Sequence, residues 1–258
     1  MLTLKINNKL QLFRNKIYIC QRIIVRKIDM DISGMRHEYN TRINLLLEEN
    51  LQSKDPFVIF DQWFNEAKKC DKIIEPNAMC LATANKNSVP SARFVLCKGY
   101  GNKGFKFFTH YTSRKGQELE ENPQAALTFY WAPFSRSVRI EGVIEKLPFS
   151  EADEYFNARP YQSQIGALCS DQSKPIEGRH VLANLEKELR AKYKEGEVPR
   201  PKMWGGYLLV PKSIEFWQGQ NDRIHDRIKF IKPINNEVTG EKYLHEGENG
   251  WYYHRLAP

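Results

Sequence analysis

Three segments of the sequence concentrate side chains that could bind an anion or a polar ring. The first, residues 93–98 (RFVLCK), places a cation at each end of an apolar, strand-like run. The ordinary interpretation is two surface charges. The functional interpretation is that Arg93 binds a phosphate through its planar fork of donors, while the backbone between Arg93 and Lys98 hydrogen-bonds a flat ring.

The second segment, residues 107–116 (FFTHYTSRKG), gathers donors where a helix is expected to begin. The donors are Thr109, Ser113, Arg114 and Lys115. Free N–H groups and the helix dipole favour an anion there, so two cations are unfavourable unless an anion is bound. An ordinary basic first turn is the alternative, and the pattern favours phosphate binding.

The third segment, residues 217–228 (WQGQNDRIHDRI), is the densest of the three. Its polar and aromatic members are Trp217, Gln218, Gln220, Arg223, His225 and Arg227. In strand geometry Arg223, His225 and Arg227 share one face. A lone histidine is more often structural than catalytic, but neighbouring cations should disfavour protonation of His225, and this makes the segment a candidate site.

Other chemistries find little support in the sequence. Gly99, Gly101 and Gly104 form G-x-G-x-x-G, but no helix opens after them, so a β-hairpin loop is the better interpretation. The six histidines lack metal-ligand spacing, so no metal site is expected. The five cysteines form no Cys-x-x-Cys pair, which fits a reducing compartment, and Cys80 and Cys97 are interpreted as buried thiols.

The composition bounds the class of protein. A chain of 258 residues with 41% hydrophobic residues can bury a core, so a folded globular protein is expected rather than disorder. The formal net charge of +8 suits an anionic partner, which could be nucleic acid, a membrane face or a phosphorylated small molecule. No apolar run approaches the ~20 residues needed to cross a membrane.

The elements that must position the three segments are mostly strands. Apolar spacing predicts a helix starting at Asp55-Pro56, with its apolar face toward the core. Strands are predicted at 78–84, 91–97, 105–111, 125–131, 137–146, 205–210, 213–218, 225–231 and 251–256. Their close spacing indicates an antiparallel barrel with peripheral helices in one α+β domain over residues 31–258.

Further helices are predicted between the strands. Residues 113–122 would form one with Ser113 as N-cap, and residues 179–195 a charged, solvated one. Residues 150–158 have Ser150 followed by Asp153, which is a capping-box pattern.

Residues 1–30 form a separate basic extension. Residues 1–28 contain no acid and carry Lys5, Lys9, Arg14, Lys16, Arg22, Arg26 and Lys27. Such a leader is typical of a mitochondrial transit segment, although it lacks serine. A disordered extension of a cytoplasmic protein is the alternative, and it is the one favoured.

Several stretches together resemble the pyridoxine 5′-phosphate oxidase family. They are SARFVLCKG (91–99), FFTHYTSRKG (107–116), YFNARPYQSQIGA (155–167), WGGY (204–207), EFWQGQNDRIHDR (215–227) and the terminal RLAP (255–258). The combination is highly specific and the similarity extends from about Met35 to Pro258.

This resemblance implies an FMN-binding split barrel that works as a homodimer, with FMN at the subunit interface. It implies oxidation of pyridoxine 5′-phosphate or pyridoxamine 5′-phosphate by dioxygen to pyridoxal 5′-phosphate. The implied FMN contacts are Arg93, Phe94, Val95, Leu96, Lys98, Phe108, Thr109, Arg114, Lys115, Ser137, Gln172, Ser173, Trp217 and Arg227. The implied substrate contacts are Lys98, Tyr155, Arg159, Ser163, Arg223, Ile224 and His225, with Arg36 and Tyr39 covering the site. Arg223 and His225 would be the catalytic pair.

Two residues depart from the family pattern. Ser137 stands where the family usually has a glutamine that contacts the flavin, and Asp171 adds a negative charge where a basic or neutral residue is commoner. Both departures are expected to reduce FMN affinity without removing the main set of contacts.

Two rival functions come from other classes. A flavin-binding split barrel without oxidase activity would not need Arg159, Ser163, Arg223 and His225 together, so their joint presence favours the enzyme. A nucleic-acid binder would suit the basic charge, but acids are interleaved with the basic residues and no RNA-recognition signature occurs. The sequence therefore predicts no nucleic-acid partner and no membrane.

Overall fold

This computed structural model describes residues 31–35, 39, 45–233 and 242–258. The chain divides into two units, Met1–Glu38 and Tyr39–Pro258, and every strand and helix named below belongs to the second. The basic extension predicted at residues 1–30 lies outside the described part of the chain.

Ten strands and five helices make up the described part of the second unit. The strands are β1 (Ala78–Ala84), β2 (Pro90–Leu96), β3 (Gly99–Gly101), β4 (Gly104–His110), β5 (Gln124–Trp131), β6 (Arg136–Lys146), β7 (Trp204–Gln218), β8 (Asp226–Ile231), β9 (His245–Glu246) and β10 (Tyr252–Arg255). The helices are α1 (Pro56–Lys69), α2 (Arg114–Glu121), α3 (Phe149–Asn157), α4 (Tyr161–Cys169) and α5 (Arg179–Lys192).

The strands form one antiparallel sheet in the order β2-β1-β5-β6-β7-β8-β10-β9. The sheet forks at β7. On one side of β7, its first half pairs with β4 and its second half pairs with β8. On the other side, β7 pairs with β6 along most of its length. The ring closes where the amide N of Lys98 donates to the carbonyl O of Lys106 at 2.8 Å. This is the predicted α+β split barrel.

Helix α1 closes the barrel with an aromatic face. Asp55 caps it by accepting from the amide of Phe57 at 2.9 Å, and Pro56 occupies the first turn, as predicted. Phe60 is fully buried, with ring centroids 4.9 Å from Phe105 and 5.2 Å from Phe129. Burial of a phenylalanine side chain is worth roughly 1.5–3 kcal/mol, so this face anchors the helix to the sheet.

The glycine motif is a hairpin, as predicted. Gly99 pairs with Lys106 and Gly101 with Gly104, so β3 and β4 are joined by a tight turn. Gly104 has φ of 141°, and a Cβ there would lie 2.0 Å from the carbonyl O of Leu209. Gly104 allows the tight turn and the close approach of β7, so the motif is a hairpin loop and not a dinucleotide-binding loop.

The structure corrects four local predictions. Residues 205–218 form one strand rather than two, because β6 pairs with β7 across Pro211, where a bulge shifts the register. Helix α3 begins at Phe149 after Pro148, so Ser150 lies inside the helix and caps nothing. Cys80 is only half-buried because it lies on the outer face of β1, whereas Cys97 is buried. Helix α5 ends at Lys192.

Within the described residues, no helix is long and apolar enough to span a membrane. The same part of the chain contains no cluster of three or more His, Cys, Asp or Glu side chains arranged to hold a metal ion.

Candidate functional site

A cavity of about 600 Å³ opens between β2 and β4. The two strands are joined near Lys98, but no ladder pairs them along residues 93–96 of the described sheet, so β2 is an edge strand there. The lining residues are Arg93, Phe94, Val95, Leu96, Lys98, Phe108, Thr109, His110, Lys115, Tyr155, Arg159, Pro160, Ser163, Gly166, Ala167, Ser170, Gln172 and Trp204. The first two predicted segments therefore meet at one cavity.

Lys115 lies buried at the start of α2 and lines this cavity. Its Nζ donates to Oε1 of Gln172 at 2.8 Å, and to the hydroxyls of Thr109 and Ser113 at 3.3 and 3.4 Å. Among the described residues it forms no ion pair with a carboxylate. Burial first, and the charge of Arg93 second, lower the pKa of Lys115 to about 8. A buried ammonium without a counter-ion is unfavourable, so this corner of the cavity is suited to an anion.

Arg93 faces the same corner from β2. It donates to the carbonyl O of Leu81 at 3.3 Å, to the hydroxyls of Thr83 and Ser91, and to Glu118 at 3.2 Å. Arg114 does not line the cavity. It is mostly exposed and forms an i,i+4 ion pair with Glu118 at 2.9 Å.

A stack of aromatic rings forms another wall of the cavity. Phe108 stacks on Tyr155 with centroids 4.2 Å apart and on Trp204 with centroids 5.5 Å apart. Arg159 lies over Trp204 at 4.9 Å, and its buried Nη1 has no hydrogen-bond partner among the described residues. Ser163, from α4, also lines this region. A guanidinium N–H that is buried and unpaired is suited to a second anionic ligand.

The third predicted segment lies at a different cavity. A volume of about 420 Å³ is lined by Thr128, Tyr130, Ser137, Arg139, Glu215, Trp217, Arg227 and Pro258. Tyr130, Ser137, Trp217 and Arg227 are successive cross-strand partners on β5, β6, β7 and β8, so they share one face.

Arg227 is fixed at this second cavity from two sides. Its Nε donates to Glu215 at 2.9 Å, and its Nη1 donates to the carbonyl O of Ala257 at 2.7 Å. The terminal RLAP motif is thus part of the wall, because it holds an arginine of the sheet.

His225 lies beside the same wall. Its ring centroid is 4.9 Å from Trp217 and 5.6 Å from Tyr39, and its Nδ1 accepts from the amide of Gln220 at 3.0 Å. Burial and then the charge of Arg223 lower the pKa of His225. The imidazole is therefore neutral at pH 7, and since Nδ1 accepts, the proton is carried by Nε2.

Some predicted site residues lie elsewhere than expected. Arg223 and Ile224 are exposed in the loop before β8, and Arg223 has φ of 69°, so the shared strand face predicted for residues 223–227 does not form. Ser173 is exposed and does not line the cavity, although Gln172 does. Arg36 lies outside the described residues.

The sequence interpretation did not name as site residues six residues that line the first cavity, which are His110, Pro160, Gly166, Ala167, Ser170 and Trp204. It also missed Glu118, which does not line the cavity but lies behind Arg93. His110 belongs to the motif FFTHYTSRKG and Trp204 to the motif WGGY, so their membership in these motifs could have identified them. Nothing local distinguishes Glu118 from its neighbours Glu120 and Glu121, because its role depends on strands distant in sequence.

The forked sheet, with a cation-lined cleft beside the edge strand, is the architecture of flavin-binding split-barrel proteins. Two solved structures share it. PhzG of Burkholderia lata, solved with tetrahydrophenazine-1-carboxylic acid, matches with a TM-score of 0.73 and 28% identity, over 84% of this chain and 100% of that one. A pyridoxamine 5′-phosphate oxidase-related, FMN-binding protein of Nostoc punctiforme shares the fold at a TM-score of 0.58, with 12% identity over 79% of this chain and 98% of that one.

Sequence comparison identifies the family within that class. Residues 66–191 match the family model for pyridoxamine 5′-phosphate oxidase, and residues 204–258 match the C-terminal dimerisation region of pyridoxine 5′-phosphate oxidase. The pyridoxine/pyridoxamine 5′-phosphate oxidase of Bombyx mori is 52% identical over 98% of this chain and 100% of its own length. The pyridoxine-5′-phosphate oxidase of Bos taurus is 51% identical over 89% and 88%. The chain belongs to the pyridoxine 5′-phosphate oxidase family.

Proposed function

We propose that this protein oxidises pyridoxine 5′-phosphate and pyridoxamine 5′-phosphate to pyridoxal 5′-phosphate, with FMN as cofactor. The alcohol and dioxygen would give the aldehyde and hydrogen peroxide. The amine, dioxygen and water would give the aldehyde, ammonia and hydrogen peroxide. Identity above 50% with oxidases of this family over nearly the whole chain supports this reaction.

The observation that carries the cofactor assignment is Lys115, which is buried beside Arg93 and has no carboxylate ion-pair partner in the described part of the chain. Together they suit the phosphate of FMN, and Thr109 and Gln172 add polar contacts. The free edge of β2 offers backbone donors and acceptors to a flat ring. When bound, FMN supplies the redox chemistry by accepting a hydride equivalent from the substrate and passing the electrons to dioxygen.

The substrate phosphate would bind at the aromatic wall. Arg159 has a buried Nη1 that no described residue pairs with, and Tyr155 and Ser163 lie on the same wall. Lys98 also lines this cavity, with its Nζ 5.9 Å from the centroid of the Tyr155 ring. Two phosphorylated ligands in one cleft would also account for the surplus of positive charge.

Arg223 and His225 would act on the substrate ring. Neutral His225 can donate its Nε2–H to a substrate oxygen. Arg223 would position the substrate and stabilise negative charge, because a guanidinium does not lose its proton in proteins. Tyr39, whose ring meets that of His225 edge-on, would help to cover this side.

The complete site would combine the first cavity of one subunit with the second cavity of its partner. Within one chain, Arg93 and Arg227 line different cavities. Phe94 and Tyr130, one at each cavity, are 79% and 60% exposed, as expected of side chains that a second subunit covers. Trp217 and Arg227 also lie in the matched dimerisation region. We therefore place FMN at the interface of a homodimer.

The test is an absorbance spectrum of the purified protein, followed by addition of pyridoxine 5′-phosphate in air. A flavin spectrum, with aldehyde and peroxide formed in equal amounts, is the expected result. Bound flavin without turnover would instead indicate a non-catalytic flavoprotein. Failure to bind added FMN would refute the cofactor assignment.

A further inference from the structure

Glu118 is a buried acid directly behind the anion-binding corner, and only 5% of its surface is exposed. It lies on α2, yet its carboxylate is held by strands β1 and β2. Oε2 accepts from the hydroxyls of Thr83 at 2.5 Å and Ser91 at 2.6 Å, which are cross-strand partners. A buried carboxylate with this many donors is held in one position.

The same carboxylate holds two cations. Arg93 Nη2 lies 3.2 Å from Oε2, and Arg114 Nε lies 2.9 Å from Oε1. Arg93 also donates to the Thr83 and Ser91 hydroxyls that in turn donate to Glu118. Without Glu118, these hydroxyls and the guanidinium of Arg93 would lose their common acceptor, and Arg93 could adopt other rotamers.

Glu118 also sets the charge of the corner. Arg93 and Lys115 at the corner, with Arg114 outside the cavity lining, contribute three positive charges around the one negative charge of Glu118, which leaves two positive charges. A phosphate monoester carries about −1.5 to −2 at pH 7, so the corner is close to neutral when the ester is bound. Burial opposes ionisation of Glu118, but hydrogen bonds from Ser91, Thr83, Arg114 and Arg93 outweigh it and lower the pKa to about 2.

We propose that Glu118 is a positioning residue for the cofactor phosphate. It fixes the guanidinium of Arg93 toward the cavity and ties α2 to the strand pair that carries it. This inference rests on the proposed function, because the phosphate is that of FMN. A residue that acts through the phosphate should change the affinity for FMN and leave unchanged the affinity for riboflavin, which lacks the phosphate.

The experiment compares apoproteins of the unsubstituted chain, Glu118→Gln, Glu118→Asp and the control Glu120→Gln. Glu120 lies on the same helix but is exposed and pairs only with Lys146 among the described residues. Dissociation constants for FMN and riboflavin are measured by quenching of flavin fluorescence. Melting temperatures of the apoproteins are recorded in parallel.

We expect Glu118→Gln to weaken FMN binding about ten- to a hundredfold, the range for lost hydrogen bonds to charged groups, and riboflavin binding less than about twofold. Glu118→Asp should recover part of the loss, and Glu120→Gln should change neither constant. Burial and the charge of Arg93 lower the pKa of Lys115, and the charge of Glu118 partly offsets them by raising it. As the pH rises, Lys115 should lose its proton at a lower pH in Glu118→Gln than in the unsubstituted protein. The remaining preference of this variant for FMN over riboflavin should be lost at that lower pH.

Two results would overturn the inference alone. One is an FMN constant that Glu118→Gln leaves unchanged. The other is an equal loss of FMN and riboflavin binding together with a lower melting temperature, which would make the role of Glu118 purely structural. If the unsubstituted protein bound FMN no better than riboflavin, the phosphate site itself would be refuted, and with it the cofactor assignment.

Discussion

Arg223 and Arg227 lie four residues apart, but their surroundings predict different roles. Arg227 is held by Glu215 and by the carbonyl O of Ala257 in the wall of the second cavity. Arg223 is exposed in a loop and is the first charged neighbour that lowers the pKa of His225. A fixed arginine is suited to holding a cofactor, whereas an exposed one on a loop is free to reach a substrate.

At this scale we expect Arg223→Ala to lower kcat/KM about a hundredfold while flavin content stays within about twofold of normal. Arg227→Ala and Arg93→Ala should instead weaken FMN binding about tenfold or more. Flavin content, FMN titration and steady-state kinetics measure these effects, with Arg179→Ala on the exposed face of α5 as the control. A colourless Arg223→Ala protein beside a fully flavinated Arg227→Ala protein would reverse the two assignments.

At the scale of elements, the first turn of α2 is built around a close approach to β4. Ser113 caps the helix by accepting from the amide of Gly116 at 3.3 Å, and its own hydroxyl donates to the carbonyl O of His110 at 2.7 Å. A Cβ on Gly116 would lie 2.2 Å from the carbonyl O of Tyr111. The glycine therefore lets the helix start next to the strand, where Lys115 enters the cavity.

Gly116→Ala is expected to lower the free energy of unfolding by about 1–3 kcal/mol through overpacking, although alanine favours a helix by about 1 kcal/mol. Gly166→Ala on α4 is the matched control, because apart from its chain neighbours and the adjacent backbone of its own helix no described atom lies within 4 Å of the added Cβ. It should raise stability by up to about 1 kcal/mol. Urea unfolding of the apoproteins at one fixed chain concentration measures both. Equal effects of the two substitutions would show that the predicted clash does not occur.

At the scale of the whole molecule, the two cavities of one chain raise the question of which subunits share a site. Mixing Arg93→Ala with Arg227→Ala subunits tests this. Suppose that each site takes Arg93 from one subunit and Arg227 from its partner. After random exchange about half of the dimers are mixed, and each mixed dimer has one intact site of its two. About a quarter of all sites should therefore be restored. Flavin content after exchange gives the fraction. No recovery, despite exchange shown by mass spectrometry, would mean that each chain builds its own site.

Much of this organisation could be predicted from local sequence patterns. Local patterns correctly predict the bounds of β1, the helix N-caps Asp55 and Ser113, and the hairpin at the glycine motif. These features depend on a few neighbouring residues, namely alternation, capping side chains and turn glycines, so a short window is sufficient to identify them. The anion-binding character expected of residues 107–116 has the same local basis, cations placed where a helix begins, and it stays a prediction.

Only the tertiary structure decided how these parts combine. Strand β7 continues through Pro211 because β6, distant in sequence, pairs with it on both sides of the bulge. Glu118 differs from Glu120 because Thr83 and Ser91 lie beside it in space. Arg93 and Lys115 reach one cavity while Trp217 and Arg227 reach another. The sequence determined the elements and the chemistry they carry, while their meeting points depend on long-range pairing and burial, which no local pattern encodes.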